Sequence, residues 1–435
     1  MILKKDTQII MDNKVLLVKE FLGSGGQGEV YKVEVNGKQY ALKWYYPQNA
    51  TQEQKEAVID LTKMGISDSR FLWPLMFIET HSEKSFGYIM NLRDSKYEEI
   101  GKLVAGRLKN LLTFSVLCKA GIEIADCFRE LHTKGLCYKD ISFGNVFIDS
   151  STGDILICDN DNVRVNNTNC GNIQGTSFFM APEIWKNEAS PSTNTDLYSL
   201  SVVLFYFFFR NHPLEGKVEA NINSFNEIAK FKLYAEKPIF IFDQKDESNR
   251  PVVGIHDNVI QNWKIYPEFF KIIFIKAFTD GLKYPDKRIV EGDWIRIISK
   301  LRDSIFRCNY CYSENFYDKT LISRKKELYC WKCRKQLILP FRIKIGKDII
   351  VMLTLETKLY YHHIFNENYQ FGDPIAEVKQ HPENPNRWGL KNLSDEKWTY
   401  RTKNGVLKEV NKNLHIPIVD NVEINFGNND AIIKG

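Results

Sequence analysis

The sequence predicts an α+β chain of more than one domain: a β-rich part, a helical part, a small cysteine-knuckled ribbon and an all-β sandwich. Three observations predict it. Apolar residues alternate over much of residues 12–105, then recur at helical spacing from about 107 to 305. Two Cys-x-x-Cys pairs follow, at 308–311 and 330–333. From 336 onward short apolar segments are separated by Gly, Asn, Asp and Pro, the punctuation of an antiparallel β domain. At 435 residues the chain is too long for one hydrophobic core.

The elements follow in order. "VLLVKEFLG", "GEVYKVEVNG" and "KQYALKWYY" read as strands, with Asn36-Gly37 as a hairpin turn. "TQEQKEAVIDLTKMG" reads as a helix capped by Thr51 and stopped by Gly65, and "SFGYIMNL" as a further strand. "RLKNLLTFSVLCKAGIEIADCFRELHTKG" is helical up to Gly135, and "VFIDSSTGDILICDND" is a hairpin. Later helices are expected over 196–209, 267–280 and 292–303. "FRIKIG", "DIIVMLTLE", "KLYYHHI", "IAEVKQH", "WTYRT" and "VEINFG" complete the β part. Strand alternation would point His362 and His363 to opposite faces, away from any shared metal.

Composition narrows the class. Hydrophobic residues make up 43% and charged residues 26%, as in ordinary globular proteins, and the small net charge of +5 argues neither for nor against a nucleic-acid partner. The N-terminal stretch is broken by charges every few residues, so no secretory apolar core is read there. The longest apolar run, "LYSLSVVLFYFFF", has thirteen residues, too few to span a bilayer and suited to a buried helix. A cytoplasmic chain with no membrane partner is expected. Its paired cysteines then read as metal ligands, not disulfides.

Two stretches point to phosphate chemistry. "GSGGQGEV" places Gly23, Gly25 and Gly28 as G-x-G-x-x-G, with Val30 two further on. A dinucleotide fold needs a helix next, but "EVYKVEV" alternates as a strand. A glycine loop between two strands is the arrangement that covers nucleotide phosphates. Lys43 follows fifteen residues after Gly28, inside a strand, and Glu53 and Glu56 on the next helix are its candidate partners. Glu56 is the more central of the two and is preferred.

With these residues in place, the chain resembles a eukaryotic-type protein kinase over residues 12–304. "YKDISFGN" resembles the H-R-D catalytic loop and "CDNDN" the D-F-G segment. "GTSFFMAPE" resembles the Ser/Thr kinase A-P-E segment. "DLYSLSVVL" resembles the D-x-x-S-x-G helix, with Ser201 for its glycine. "YPDKRI" resembles the late segment whose arginine, Arg288, pairs with Glu183. The resemblance implies a bilobal kinase-like fold, β-rich N-lobe and α-rich C-lobe. It also implies ATP and Mg²⁺, with Asp140 taking the proton of a protein hydroxyl, Asn145 and Asp159 holding Mg²⁺, and Lys43 pinning phosphates. Ala41, Met90 and Leu92 would then contact adenine, with Tyr88–Arg93 as hinge and Met90 as gatekeeper.

The departures bear on control. Tyr138 replaces the usual histidine and keeps an aromatic body that can pack behind the loop. Lys139 lacks the bidentate fork of arginine, which weakens control by a loop phosphate. Ser142 replaces a lysine and could bond Asp140 or substrate. "DND" keeps the metal-binding aspartate, and Asp161 and Asn162 are expected to tie the loop by polar bonds. The 25-residue segment from Asp159 to Glu183 offers Thr168, Thr176 and Ser177 as phosphorylatable positions, with Thr176 read as bonding the catalytic loop. Since Lys43, Asp140 and Asp159 are all kept, an active enzyme is preferred to an ATP-binding pseudokinase scaffold. A small-molecule phosphotransferase would lack the A-P-E segment and Arg288.

Residues 305–336 read as a zinc ribbon. Cys308, Cys311, Cys330 and Cys333 have the C-x₂-C-x₁₈-C-x₂-C spacing of a closed four-thiolate Zn²⁺ site. The nearby Arg324, Lys325, Lys326, Lys332, Arg334 and Lys335 read as a solvated face. Residues 337–435 suit a β-sandwich that faintly resembles a forkhead-associated domain, including the Asn404-Gly405 turn. With "FLWPL" (Phe71 to Leu75) and D-N-D, the chain resembles bacterial eukaryotic-type stress or defence Ser/Thr kinases. That resemblance implies a protein substrate, with a von Willebrand A-type protein and a cognate metal-dependent phosphatase as partners.

Overall fold

The computed structural model describes residues 2–435 except 12–13, 81–83, 109, 111, 167–174, 324–326, 366–368, 370–371 and 403. Thr168, Arg324, Lys325 and Lys326 therefore lie outside the described residues. The chain divides into two compact units. The first holds residues 1–112, 123–259 and 275–291, the second 113–122, 260–274 and 292–435.

The N-lobe of the first unit is a six-stranded antiparallel sheet. Its spatial order is Gln8–Met11, Lys14–Ser24, Gly28–Val35, Lys38–Tyr45, Phe86–Met90, Met76–Glu79. Asn36 and Gly37 both have positive φ, 51° and 77°, the turn expected of Asn-Gly between twisted strands. Period-two alternation splits the sheet. Leu42 and Trp44 join Leu16, Val33 and Ile89 in one core. Ala41 and Tyr45 join Val58, Tyr88 and Met90 in the other. Lys43 shares the second face, opposite Val30 on one neighbour and Tyr88 on the other.

Helix Gln52–Met64 packs beside this face. The Thr51 hydroxyl accepts from the Gln54 N–H at 3.2 Å and Gly65 ends the helix at φ 61°, as the sequence predicts. The "FLWPL" segment ties it down: buried Trp73 donates its indole N–H to the Leu61 carbonyl at 2.9 Å. The C-lobe is helical around the helix Thr193–Phe209, buried almost all round, which explains its unbroken apolar run. The hairpin Val146–Asp149 with Ile155–Ile157 forms where the sequence places it.

The second unit holds the cysteine ribbon and the β-rich end. The strands Ile305–Arg307 and Glu314–Phe316 pair, and Phe316 meets the rings of Phe114 and Tyr266. Beyond 340, a six-stranded and a four-stranded antiparallel sheet enclose one core of Ile343, Leu390, Trp398, Ile416, Ile433 and their neighbours.

One local reading is corrected. His362 and His363 are on the helix Tyr361–Phe365, not on a strand, and are buried with ring centroids 4.0 Å apart. The strand ends at Leu359 because a distant group captures the chain. His363 Nδ1 accepts the Tyr360 N–H at 2.8 Å, and its Nε2 lies 3.1 Å from the Asp303 carboxylate.

Candidate active site

Between the lobes of the first unit lies a cleft of about 550 Å³. Gly23, Gly25, Gly28, Val30, Ala41, Lys43, Met90, Leu92, Asp140 and Asp159 all line it. The glycine loop joins the strands Lys14–Ser24 and Gly28–Val35, as predicted, with Gly23 near the end of the first, Gly25 between them and Gly28 opening the second. Gly28 is fixed by packing, since a Cβ there would lie 2.2 Å from the Trp44 carbonyl oxygen.

The catalytic loop is held from behind. The buried Asp196 carboxylate accepts the backbone N–H groups of Tyr138 (2.6 Å) and Lys139 (3.1 Å). These bonds hold Lys139 at φ 68°, a costly backbone for a non-glycine residue. Tyr138 is fully buried, and its hydroxyl donates to the Cys158 carbonyl, one residue before Asp159. The phenol thus ties the catalytic loop to the D-N-D segment. Asn145 is buried, donating its amide N–H to the Asp140 carbonyl at 2.7 Å, which leaves its oxygen as a hard donor. The hydroxyl that reaches the Asp140 carboxylate is that of Thr176, at 2.7 Å, in keeping with the role read for it.

The D-N-D turn is secured at every residue. Asp159 adopts a left-handed backbone, φ 50°. The Asn160 amide donates to the carbonyls of Leu72 (3.0 Å) and Ile157 (2.9 Å). Asp161, fully buried, accepts from Lys43 at 2.9 Å, from the Tyr88 hydroxyl at 3.0 Å and from the Tyr45 hydroxyl. Asn162 accepts from Gln27 of the glycine loop at 3.2 Å. Burial opposes ionisation of both aspartates. Lys43 and the tyrosine hydroxyls hold Asp161 below the ordinary carboxylate range, whereas burial, with Asp161 and Asp140 nearby, raises Asp159 against the pull of Lys43.

The expected Lys43–Glu56 pair does not form. Glu56 is exposed and takes the amide of Gln52 at 2.7 Å. Lys43 instead meets Asp161, Asp159 (3.5 Å) and the Gln27 side chain (3.1 Å). The helix turns Gln54 inward, not Glu56, because two residues are about 200° apart around a helix. The Gln54 amide donates to the Tyr45 hydroxyl (2.9 Å) and the Asp161 carbonyl (3.2 Å), and its oxygen accepts from Arg164 (2.5 Å). Asp196, Gln54 and Tyr45 were missed as site residues. Only the D-x-x-S motif carried a signal, for Asp196.

Two further ion pairs brace this unit. Arg288 makes a bidentate contact with Glu183 at 2.7 and 2.8 Å, as the resemblance implied. His132 lies between Asp196 (3.2 Å) and Glu291. Burial lowers its pKa, but the two carboxylates outweigh burial and raise it to about 9. A pKa raised above the ordinary value of about 6.5 gives stability that is full below pH 6.5 and lost as pH rises through 9. His132→Gln should therefore lower the unfolding free energy at pH 6 by on the order of 3 kcal/mol. The gap between variant and wild type should close towards pH 9.5, which denaturant melts at both pH values would show.

In the second unit the four paired cysteines converge, their sulfurs all within 4.8 Å of one another. Cys308 and Cys333 are 3.7 Å apart, Cys311 and Cys330 3.6 Å. Tetrahedral Zn–S bonds of about 2.3 Å require sulfurs about 3.8 Å apart, so the donor set fits. Each knuckle closes by a backbone bond, Tyr312 N–H to Cys308 and Arg334 N–H to Cys330, both 3.0 Å, with positive φ at Tyr312 and Arg334. Burial raises the Cys330 thiol, but hydrogen bonds from Ser313, the Cys333 and Lys332 backbone and Asn315 bring it down to about 6.

Comparison with known proteins agrees with this geometry. The family model described as "Protein kinase domain" matches residues 16–261, more than half of the chain. A probable LIM domain-containing serine/threonine-protein kinase of Dictyostelium discoideum is 28% identical over 239 residues, covering 50% of this chain and 34% of that protein. An L-type lectin-domain containing receptor kinase of Arabidopsis thaliana is 30% identical over 209 residues, covering 45% and 30%. The mitogen-activated protein kinase kinase kinase dlk-1 of Caenorhabditis briggsae is 27% identical over 290 residues, covering 61% and 31%. The chain thus spans about a third of the length of these curated relatives. No helix among the described residues is long and apolar enough to cross a membrane. The matched domain and the ordered cleft together place this chain in the protein kinase family.

Proposed function

We propose that the protein is an ATP-dependent Ser/Thr protein kinase. The observation that carries this reading is the meeting of Lys43, Asp140 and Asp159 in one cleft, with Asn145 bonded to the Asp140 backbone behind it. Asp140 orients the acceptor hydroxyl and takes its proton as the new P–O bond forms and the bond to the leaving diphosphate breaks. Lys43 holds the phosphates, and the glycine loop covers them with backbone N–H groups. Asn145 and Asp159 offer the hard oxygens that suit Mg²⁺, which when bound neutralises charge on the phosphates. Ala41, Met90 and Leu92 form the adenine wall. Thr176 holds Asp140 in place until a substrate hydroxyl replaces it.

The Arg288–Glu183 pair supports a protein acceptor, because it braces the segment on which a peptide would dock. The names of the relatives support Ser/Thr specificity. A scaffold that binds ATP without turnover is not favoured, since Lys43, Asp140, Asn145 and Asp159 are all kept. Cys308, Cys311, Cys330 and Cys333 would hold a structural Zn²⁺ with every position filled by thiolate. The sandwich would recruit the substrate, and the sequence resemblance supports a von Willebrand A-type protein and its phosphatase as partners in the cytoplasm.

Acceptor specificity is tested by mass-spectrometric mapping after incubating the full chain with ATP, Mg²⁺ and cell lysate. New phosphoserine and phosphothreonine sites are expected. Sites confined to tyrosine, or to small molecules, would contradict the assignment.

A further inference from the structure

In the kinase reading Lys43 must be held in place, and Glu56, exposed and bonded to Gln52, does not hold it. Resting on that reading, we propose that Asp161 is the positioning carboxylate of Lys43, so that the lysine is anchored by the D-N-D turn itself and not by the neighbouring helix.

The geometry is specific. Both Asp161 oxygens lie within hydrogen-bond reach of the Lys43 ammonium, at 2.9 and 3.0 Å, closer than Asp159 at 3.5 Å. Asp161 has no exposed surface, and Lys43 is 5% exposed. A carboxylate so placed is tolerable only with a counter-charge and donors for its remaining lone pairs. Tyr45 and Tyr88 supply those donors from the same sheet face that carries Lys43. The Asp161 carbonyl accepts from Gln54 and Arg164, which fixes the turn to the helix through neutral and cationic groups only.

The helix therefore brings no carboxylate to Lys43. Gln54, buried and facing inward, is neutral, and Glu56 is exposed. The charge that sets Lys43 sits two residues from Asp159, within the single turn Asn160–Asn162. Lysine and metal-binding aspartate are thus positioned by one rigid piece. A shift of the helix would not deprive Lys43 of its partner, which removes one common means of switching such an enzyme off.

The test compares Asp161→Asn, Lys43→Met, their double variant and Glu56→Gln in the full chain, measuring kcat, KM for ATP, ATP binding and Tm. Asp161→Asn should lower kcat about 100-fold, and the double variant should be within about threefold of Lys43→Met alone, because the two residues act as one unit. Glu56→Gln should stay within about twofold of wild type. A purely structural Asp161 would instead give losses that multiply in the double variant, and that result overturns the proposal. So does an Asp161→Asn enzyme within about threefold of wild type, or a tenfold loss in Glu56→Gln. If Tm shows that Asp161→Asn does not fold, Glu56→Gln alone decides by the same limits. If wild type transfers no phosphate, the kinase reading fails by itself. The Asp161 assignment is then judged by ATP binding, which Asp161→Asn must weaken as much as Lys43→Met does.

Discussion

Cys330→Ser is expected to abolish metal binding at the ribbon and unfold it. Wild type should carry one equivalent of zinc by elemental analysis, and the variant none. The size of the effect follows from the site. Four cysteine sulfurs converge within 4.8 Å, and the hairpin that supplies half of them has strands of only three residues. So short a hairpin is not stable alone. Structural zinc contributes folding free energy on the order of 10 kcal/mol in small metal-bound domains. Phe316 packs on Phe114 and Tyr266, and the Trp331 indole donates to the Glu314 carbonyl at 2.7 Å, so loss of the ribbon should loosen its surroundings in the second unit. Limited proteolysis should show new cleavage between residues 305 and 340. A variant with unchanged zinc content and cleavage would refute the metal assignment.

The legible parts of the site are those whose motifs stand in the order of the family that the chain resembles. Lys43, Asp140, Asn145 and Asp159 could be named from that resemblance, and a cation, a base and oxygen ligands are the residue types that phosphoryl transfer uses. The glycine loop was legible because two strands flank it. Glu56 is central in the helix sequence, but helix phase depends on what the sheet presents, and the helix turns Gln54 inward. Asp161 could be read as a polar tie, yet its pairing with Lys43 spans 118 positions and leaves no local periodic signal. The helix at His362 was hidden for the same reason, since its anchor, Asp303, is 60 positions away. The sandwich was legible as strands and turns. Its two sheets and their strand order depend on pairings between distant segments, such as Arg342–Ile345 with Asp430–Lys434.

The substitutions at the catalytic loop keep its mechanics while altering its connections. Tyr138 still links the loop to the D-N-D segment, now by a phenol to the Cys158 carbonyl. Asn160 replaces an aromatic pivot with an amide bonded to two carbonyls, which favours a fixed turn over a flipping one. These bonds and the Asp161–Lys43 pair describe a site held ready by its own residues.

Asp140→Ala is therefore expected to be the most damaging substitution for turnover. The Asp140 carboxylate accepts the Thr176 hydroxyl in the cleft, and its removal would delete both the orientation of the acceptor and the proton's destination. General-base catalysis alone contributes about 10²- to 10⁴-fold, so a loss of about 10³-fold in kcat is expected, with ATP binding little changed. The variant should keep its fold, because the backbone N–H bonds of Tyr138 and Lys139 and the Asn145 side-chain bond to the Asp140 carbonyl do not use the Asp140 side chain. The deciding measurement is transfer of label from γ-labelled ATP to protein serine or threonine, in Mg²⁺, by wild type and Asp140→Ala side by side. Transfer by wild type and its near-complete loss in the variant is the predicted result. Equal transfer by both, or none by wild type, would contradict the central claim that this cleft is a working kinase site.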